Sequence, residues 1–300
     1  MRVLLTGASG YLGQHVLRSL RRRGCDVVVL GRSLPTGFDD VPLVKADLLE
    51  PSGLADAVKG AGATHLLHLA WYAEYGKFWA SPLNFRWVDA SLRLVQAFCE
   101  AGGEHVVMAG SCAEYDWSYG YLREEITPHS PQTTYGVAKD ATRRLTSALC
   151  ALHDVSMAWG HIFFPFGNGE APQRMIPSLI EVFRGRAAPF GVNANAYRGM
   201  LHVPDAADAF VTLLLPKPDN SASPQGSFNI CSGQPVQIGH VVRVLAELCG
   251  ADPLPVLNLV STRSGDPPML VGDNSRLLAT GWSPAYTLEK GLAEFVNLSA

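Results

Sequence analysis

Thr6-Gly7-Ala8-Ser9-Gly10-Tyr11-Leu12-Gly13 follows the apolar run Val3-Leu4-Leu5 and leads into apolar positions at Leu12, Val16, Leu17 and Leu20. The order is strand, glycine turn, helix. Glycines at 7, 10 and 13 let the chain turn sharply and let backbone N–H groups come close to a pyrophosphate, whose charge a helix N-terminus favours. The stretch predicts a dinucleotide-binding βα unit, with Gly7, Ser9, Gly10, Tyr11, Leu12 and Gly13 as cofactor contacts.

Outward from this unit, the alternation continues. Asp26–Leu30, Leu43–Lys45, His65–Leu69 and His105–Ala109 read as further buried strands, with amphipathic segments over 52–60, 84–102 and 132–153 between or after them. Such a pattern predicts an α/β protein with a doubly wound parallel sheet covered on both faces. Helices are expected over 172–184, 204–215, 238–249 and 288–298, and the Pro-, Ser- and Asn-rich stretch 216–225 reads as a surface loop.

Composition bounds the function. With 300 residues, 47 % hydrophobic and 17 % charged, the chain can bury a large core. A net charge of -3 without a basic stripe argues against nucleic acid or an anionic membrane as partner. No apolar run approaches the roughly 20 residues of a membrane span, the first residues lack a secretion-signal pattern, and cytoplasm is the expected compartment. The six cysteines, at 25, 99, 112, 150, 231 and 249, lack CxxC spacing. They read as reduced thiols, with no metal expected.

The end of the second strand bears on the cofactor. NAD-binding folds usually carry a carboxylate there for the ribose hydroxyls. This chain has Gly31-Arg32-Ser33. A guanidinium and a hydroxyl suit a 2'-phosphate, so NADP is expected ahead of NAD; stacking of Arg32 on adenine is the other reading. Asp47-Leu48, just after the third strand, is placed to read an adenine amino group.

Tyr135 and Lys139 stand one helical turn apart. A phenol is a poor acid or base at neutral pH unless a neighbouring cation stabilises its anion, which Lys139 is placed to do. Otherwise the pair is an ordinary helix start. Ser111, beyond the fifth strand, either orients a substrate carbonyl or caps a turn.

Thr6 to Gly13, His68-Leu69-Ala70, Ser111 with Tyr115, Tyr135-x-x-x-Lys139, Arg198 before Leu201-His202-Val203, Phe228-Asn229-Ile230 and Arg263-Ser264-Gly265-Asp266 occur in one order along nearly the whole chain. Together they resemble the extended short-chain dehydrogenase/reductase family, among its NAD(P)-dependent epimerases, dehydratases and reductases of nucleotide sugars. The resemblance implies a Rossmann dinucleotide-binding domain over 1–166 and 200–231. It also implies a smaller mixed substrate-binding lobe over 167–199 and 232–300. Ser111, Tyr135 and Lys139 are the implied catalytic residues. Leu69, Ala70 and Trp71 join the cofactor contacts, as do Tyr135 and Lys139. Arg198 and Arg263 match residues that grip the substrate pyrophosphate, or else form structural salt bridges for which Asp266 is available. Cys112 and Tyr115, beside Ser111, are further substrate candidates. The aromatic run Trp71 to Trp79 either covers the pocket or packs its own loop, with Trp71 and Tyr72 expected to reach the substrate.

Departures from the family pattern narrow the chemistry. Dehydratases carry Asp-Glu where this chain has Cys112 and Ala113, so dehydration is not expected. Phe164 replaces an asparagine common in epimerases, and Trp87 another. The expected activity is NADPH-dependent reduction of the 4-keto group of a nucleotide-activated 6-deoxy sugar, in a homodimer pairing near 84–102 and 132–153. A 4-epimerase with tightly bound NAD is the alternative. A reductase of a small ketone or phenolic and a non-catalytic NAD(P)-sensing protein are also open.

Overall fold

Parallel strands order the larger part of the chain, for which a computed structural model describes residues 1–215, 223–259, 261 and 266–298. They are β1 (Arg2–Thr6), β2 (Asp26–Gly31), β3 (Leu43–Lys45), β4 (His65–His68), β5 (His105–Ser111), β6 (Ser156–Ile162) and β7 (Gly226–Ile230). All seven pair in parallel, in the order β7-β6-β5-β4-β1-β2-β3. This is the expected doubly wound sheet, whose strand order reverses beside β1 and opens a crevice at the carboxyl ends.

Both faces are covered, because strand side chains alternate. Val3 and Leu5 of β1 pack with α1 (Tyr11–Arg22) and the later helix α6 (Val203–Leu214) on one side. Leu4 faces the opposite side, toward α2 (Leu54–Ala61), α3 (Leu83–Glu100) and the end of α4 (Thr134–Leu152). β6 and β7 lie outside the strands expected from the sequence. Ser156-Met157-Ala158-Trp159-Gly160-His161-Ile162 has no β-branched run, and it is the approach of α6 that selects its glycine. A Cβ at Gly160 would stand 2.6 Å from the Phe210 ring.

The second part of the chain gathers around its own core. Phe166, α5 (Met175–Phe183), α7 (Ile238–Leu248) and the terminal helix Leu288–Leu298 bury Ile176, Leu179, Val241, Leu245 and Leu292 there. Beside it a small mixed sheet joins Tyr197–Arg198 to Val236–Gln237 and to Met269–Gly272, which also pairs with Tyr121–Leu122. The loop expected at 216–225 lies outside the described residues except for 223–225. Among the described residues, no helix is long and apolar enough to cross a membrane.

Candidate active site

The glycine turn closes against its neighbours. Gly7 has φ 76°, and a Cβ there would stand 2.7 Å from the Ala70 nitrogen; one at Gly13 would stand 1.9 Å from the Gly7 carbonyl oxygen. The first turn of α1 contains no acidic residue and its N-cap, Gly10, offers no side chain to the free N–H groups. They remain available to an anion. A cleft of about 670 Å³ runs from this loop past Arg32, Ser33, Asp47 and Leu48 to Leu69, Ala70, Trp71, Tyr72, Tyr135 and Lys139. Its lining and the backbone N–H groups at the helix start fit a dinucleotide. Arg32 is exposed at the far end, and its guanidinium has no ion-pair or hydrogen-bond partner among the described residues. Asp47 accepts from the Leu49 N–H at 3.0 Å, while Leu48 is buried beneath it.

At the other end, Thr133 caps α4 by accepting from the Gly136 N–H at 3.0 Å, which starts the helix just before Tyr135. A Cβ at Gly136 would stand 2.3 Å from the Ala113 carbonyl oxygen. That close approach brings α4 against the turn after β5, where the Ser111 side chain comes near enough to Tyr135 to favour the phenol's ionised form. The Ser111 hydroxyl also accepts from the Ala113 N–H at 3.2 Å, so it caps the turn. Lys139 is buried; its Nζ donates to the Ala109 carbonyl at 2.8 Å and lies 3.8 Å from the Trp71 ring centre. Phe78, Trp79 and Trp71 set their rings edge-on to Tyr135, with centroids at 4.8, 5.7 and 6.5 Å.

This enclosure sets the protons. Burial pushes Lys139 down to about 7, opposed by the Glu114 carboxylate. Burial also pushes the Tyr135 phenol up, with Ser111 pulling the other way and Glu114 adding to the rise. The ammonium is 6.0 Å from the phenol ring centre and committed to Ala109. Tyr135 therefore holds its proton at neutral pH.

The remaining expected residues divide. Trp71 donates from its indole to Asn84 at 2.9 Å and stacks on Trp87, while Tyr72 lines the cleft and donates to Glu74 at 2.9 Å. Tyr115 is a correction: it sits in the core, 1 % exposed, donating to Asn229 at 2.9 Å and packed on His129 and His161. The 3-10 turn Cys112–Glu114 turns it away from the cleft. Cys112 is likewise buried, its thiol pushed up to about 12 by burial, and its carbonyl accepts from the Trp117 indole. Arg198 lines a second cavity, of about 440 Å³, with Phe164, Glu170, Arg174 and Asp266. It is paired with Asp266 at 2.5 Å and lies over the Phe164 ring at 5.7 Å. Phe164 takes φ 32°, an uncommon conformation for a bulky residue and one an asparagine adopts more readily. Arg263 lies outside the described residues.

Two buried groups support this site without having been singled out. Asn84 accepts from the Trp71 indole and donates to the carbonyls of Phe78 and Ser81, at 2.7 and 3.0 Å, tying the aromatic run to α3. Glu114 accepts from the Ser111 N–H at 2.6 Å. Ser111-Cys112-Ala113-Glu114 is a capping box, so S-x-x-E was its readable signal. Glu114, His129 and Asp140 have metal-ligand spacing, but the Arg143 guanidinium lies among them, bonded to Asp140 at 2.6 Å and His129 at 3.2 Å.

The family model described as NAD dependent epimerase/dehydratase family matches residues 3–231. A UDP-glucose 4-epimerase of Azospirillum brasilense is 27 % identical, over 97 % of this chain and 89 % of its own length. A dTDP-6-deoxy-L-talose 4-dehydrogenase (NAD(+)) of Aggregatibacter actinomycetemcomitans is 24 % identical, over 89 % of this chain and 97 % of its own. The solved structure of MoeE5 in complex with UDP-glucuronic acid and NAD superposes with a TM-score of 0.82 at 28 % identity, covering 100 % of this chain and 99 % of that one.

Proposed function

This chain belongs to the NAD dependent epimerase/dehydratase family and is an enzyme of nucleotide sugars; from that premise we propose that it reduces the 4-keto group of a nucleotide-activated 6-deoxy sugar with NADPH. The observation that carries this reading is a cleft that has a proton-holding Tyr135 beside Lys139 at one end and an uncommitted Arg32 at the other. A bound nicotinamide supplies the hydride for the carbonyl carbon. Tyr135 gives its proton to the carbonyl oxygen, so the ketone gains one hydride and one proton and leaves as an alcohol. The Ser111 hydroxyl polarises that oxygen. Lys139, beside the Trp71 ring, reaches for the ribose, while Trp71, Phe78 and Trp79 keep water from the phenol. Arg198, over Phe164, receives the substrate diphosphate in the second cavity. Two copies pair through α3 and α4, where Phe85, Val137 and Leu145 are exposed.

The 4-epimerase reading is favoured by the Azospirillum relative's name and by NAD in the MoeE5 complex. One experiment separates the two. The protein is denatured to release any retained dinucleotide, and NADPH absorbance is followed with 4-keto-6-deoxy sugars on dTDP, CDP and UDP. Consumption of NADPH without retained NAD is the expected result. Retained NAD, no NADPH consumption on any keto sugar, and interconversion of UDP-glucose and UDP-galactose would transfer the assignment to epimerisation.

Arg32→Ala tests the cofactor choice alone. Loss of a charge-assisted contact to the 2'-phosphate lowers NADP affinity by about 10- to 100-fold and leaves NAD affinity unchanged. Equal affinities of wild type and variant for NADP, measured by titration calorimetry, would remove Arg32 from the phosphate site.

A further inference from the structure

Lys139 is a buried lysine without a carboxylate partner. Its side chain lies on α4, and among the described residues it forms no ion pair. One N–H goes to the Ala109 carbonyl at 2.8 Å. The ring nearest to Nζ is the Trp71 indole, whose centre lies beneath it at 3.8 Å, whereas the Tyr135 ring on the same helix is 6.0 Å away. Low-dielectric surroundings disfavour a charge that nothing compensates. Burial pushes Lys139 down to about 7, so its charged fraction at neutral pH depends on each group that attracts it. The negative face of an indole is such a group, and the strongest among aromatic side chains.

The indole is not free to turn away. Its N–H donates to the Asn84 Oδ1 at 2.9 Å. Asn84 is fully buried, and its amide nitrogen donates to the Phe78 and Ser81 carbonyls at 2.7 and 3.0 Å. These three bonds fix which way the amide points, because a reversed amide would set its oxygen against two carbonyls and its hydrogens against the indole N–H. Trp87, three residues after Asn84 and on the same face of α3, stacks on Trp71 with ring centres 6.1 Å apart and planes at 30°. One amide and one ring of α3 therefore hold a single indole against a single ammonium. A carboxylate in this place would take up the lysine. A ring face attracts it and leaves its remaining N–H groups for a ligand in the cleft, which Trp71 and Lys139 both line.

We propose that Trp71 is a positioning residue, whose indole face, fixed by Asn84 and Trp87, attracts the Lys139 ammonium and keeps it directed into the cleft. Its importance for turnover rests on the reading of Ser111, Tyr135 and Lys139 as the reacting centre; the contact between ring and ammonium is tested on Lys139 itself, without turnover. Attraction by the ring favours the charged form, so weakening the ring moves the lysine's titration to lower pH. The other titratable groups around Lys139 are Tyr135 on its own helix, Glu114 after β5 and His68 of β4, and a change at Trp71 leaves all three in place.

The experiment is a pH titration of the full chain labelled with ¹³Cε-lysine, in which the Lys139 signal is identified by its absence in Lys139→Arg. In Trp71→Leu, which keeps an apolar side chain and removes the ring, the Lys139 midpoint is expected to fall by about one pH unit. Fluorinated tryptophans placed at position 71 keep the shape of the ring and withdraw electrons from its face. Each added fluorine is expected to lower the midpoint further, a gradient that packing alone does not produce. A midpoint that stays or rises in Trp71→Leu overturns the proposal, as does a fluorine series without a gradient. If Trp71→Leu does not fold, the fluorine series decides by itself. Turnover by Tyr135→Phe tests the catalytic reading separately, so its failure is distinct from a failure at Trp71.

Discussion

Tyr135→Phe lowers kcat by about a thousandfold while the affinities for dinucleotide and nucleotide sugar stay close to wild type. The phenol oxygen is the one atom removed. The ring remains held by Trp71, Phe78 and Trp79, and the glycine loop and Arg198 lie elsewhere. Burial keeps the Tyr135 proton in place at neutral pH, which suits donation to a developing alkoxide. Without it, only Ser111 and water remain to satisfy that oxygen. Steady-state kinetics on the keto sugar that the wild type reduces, with NADPH titrated separately, checks the split between kcat and affinity. A variant that keeps most of the wild-type rate would deny Tyr135 its role and leave a chain that merely holds nucleotides.

Gly13→Ala is expected to lower dinucleotide affinity by at least about 100-fold, equivalent to roughly 2.7 kcal/mol of binding, together with a fall in melting temperature. The added methyl would stand 1.9 Å from the Gly7 carbonyl oxygen, 2.7 Å from the Gly7 carbon and 2.9 Å from the Ala8 Cα. All three are backbone atoms, so no side-chain rotation relieves the overlap. Either the loop opens away from α1 or the helix moves off the sheet, and each dissolves the cluster of N–H groups that the pyrophosphate needs. Fluorescence titration with NADP and a thermal melt measure both effects. Undiminished affinity in a folded variant would show that the pyrophosphate is held somewhere other than this loop.

Much of this architecture is legible in the residues alone. β1 to β5 announce themselves because each is a continuous apolar run bounded by glycine or polar residues, as buried parallel strands are. Tyr135 and Lys139 are legible because four residues make one helical turn, and Thr133 ahead of them is a readable cap. β6 was hidden because its identity depends on partners distant in sequence. Trp159 and His161 look like polar or aromatic loop residues until Glu114 is seen to receive one and approach the other. Tyr115 misleads for a related reason. Its distance from Ser111 along the chain is short, yet the 3-10 turn Cys112–Glu114 rotates it into the core, toward Asn229. The charge state of Tyr135 was also out of reach. Spacing gives the proximity of Lys139, but only the fold reveals that its ammonium is directed at Ala109 and Trp71.

The crowding of rings around Tyr135 has an optical consequence. The chain has six tryptophans. Trp71 and Trp87 line the cleft, Trp79 faces Tyr135, and Trp117 meets Trp79 edge-on at 6.3 Å. Trp159 lies behind Ser111, leaving Trp282 as the one indole buried far from the chemistry. Trp71 and Trp79, in contact with the phenol itself, make native ultraviolet emission a reporter of whatever enters there.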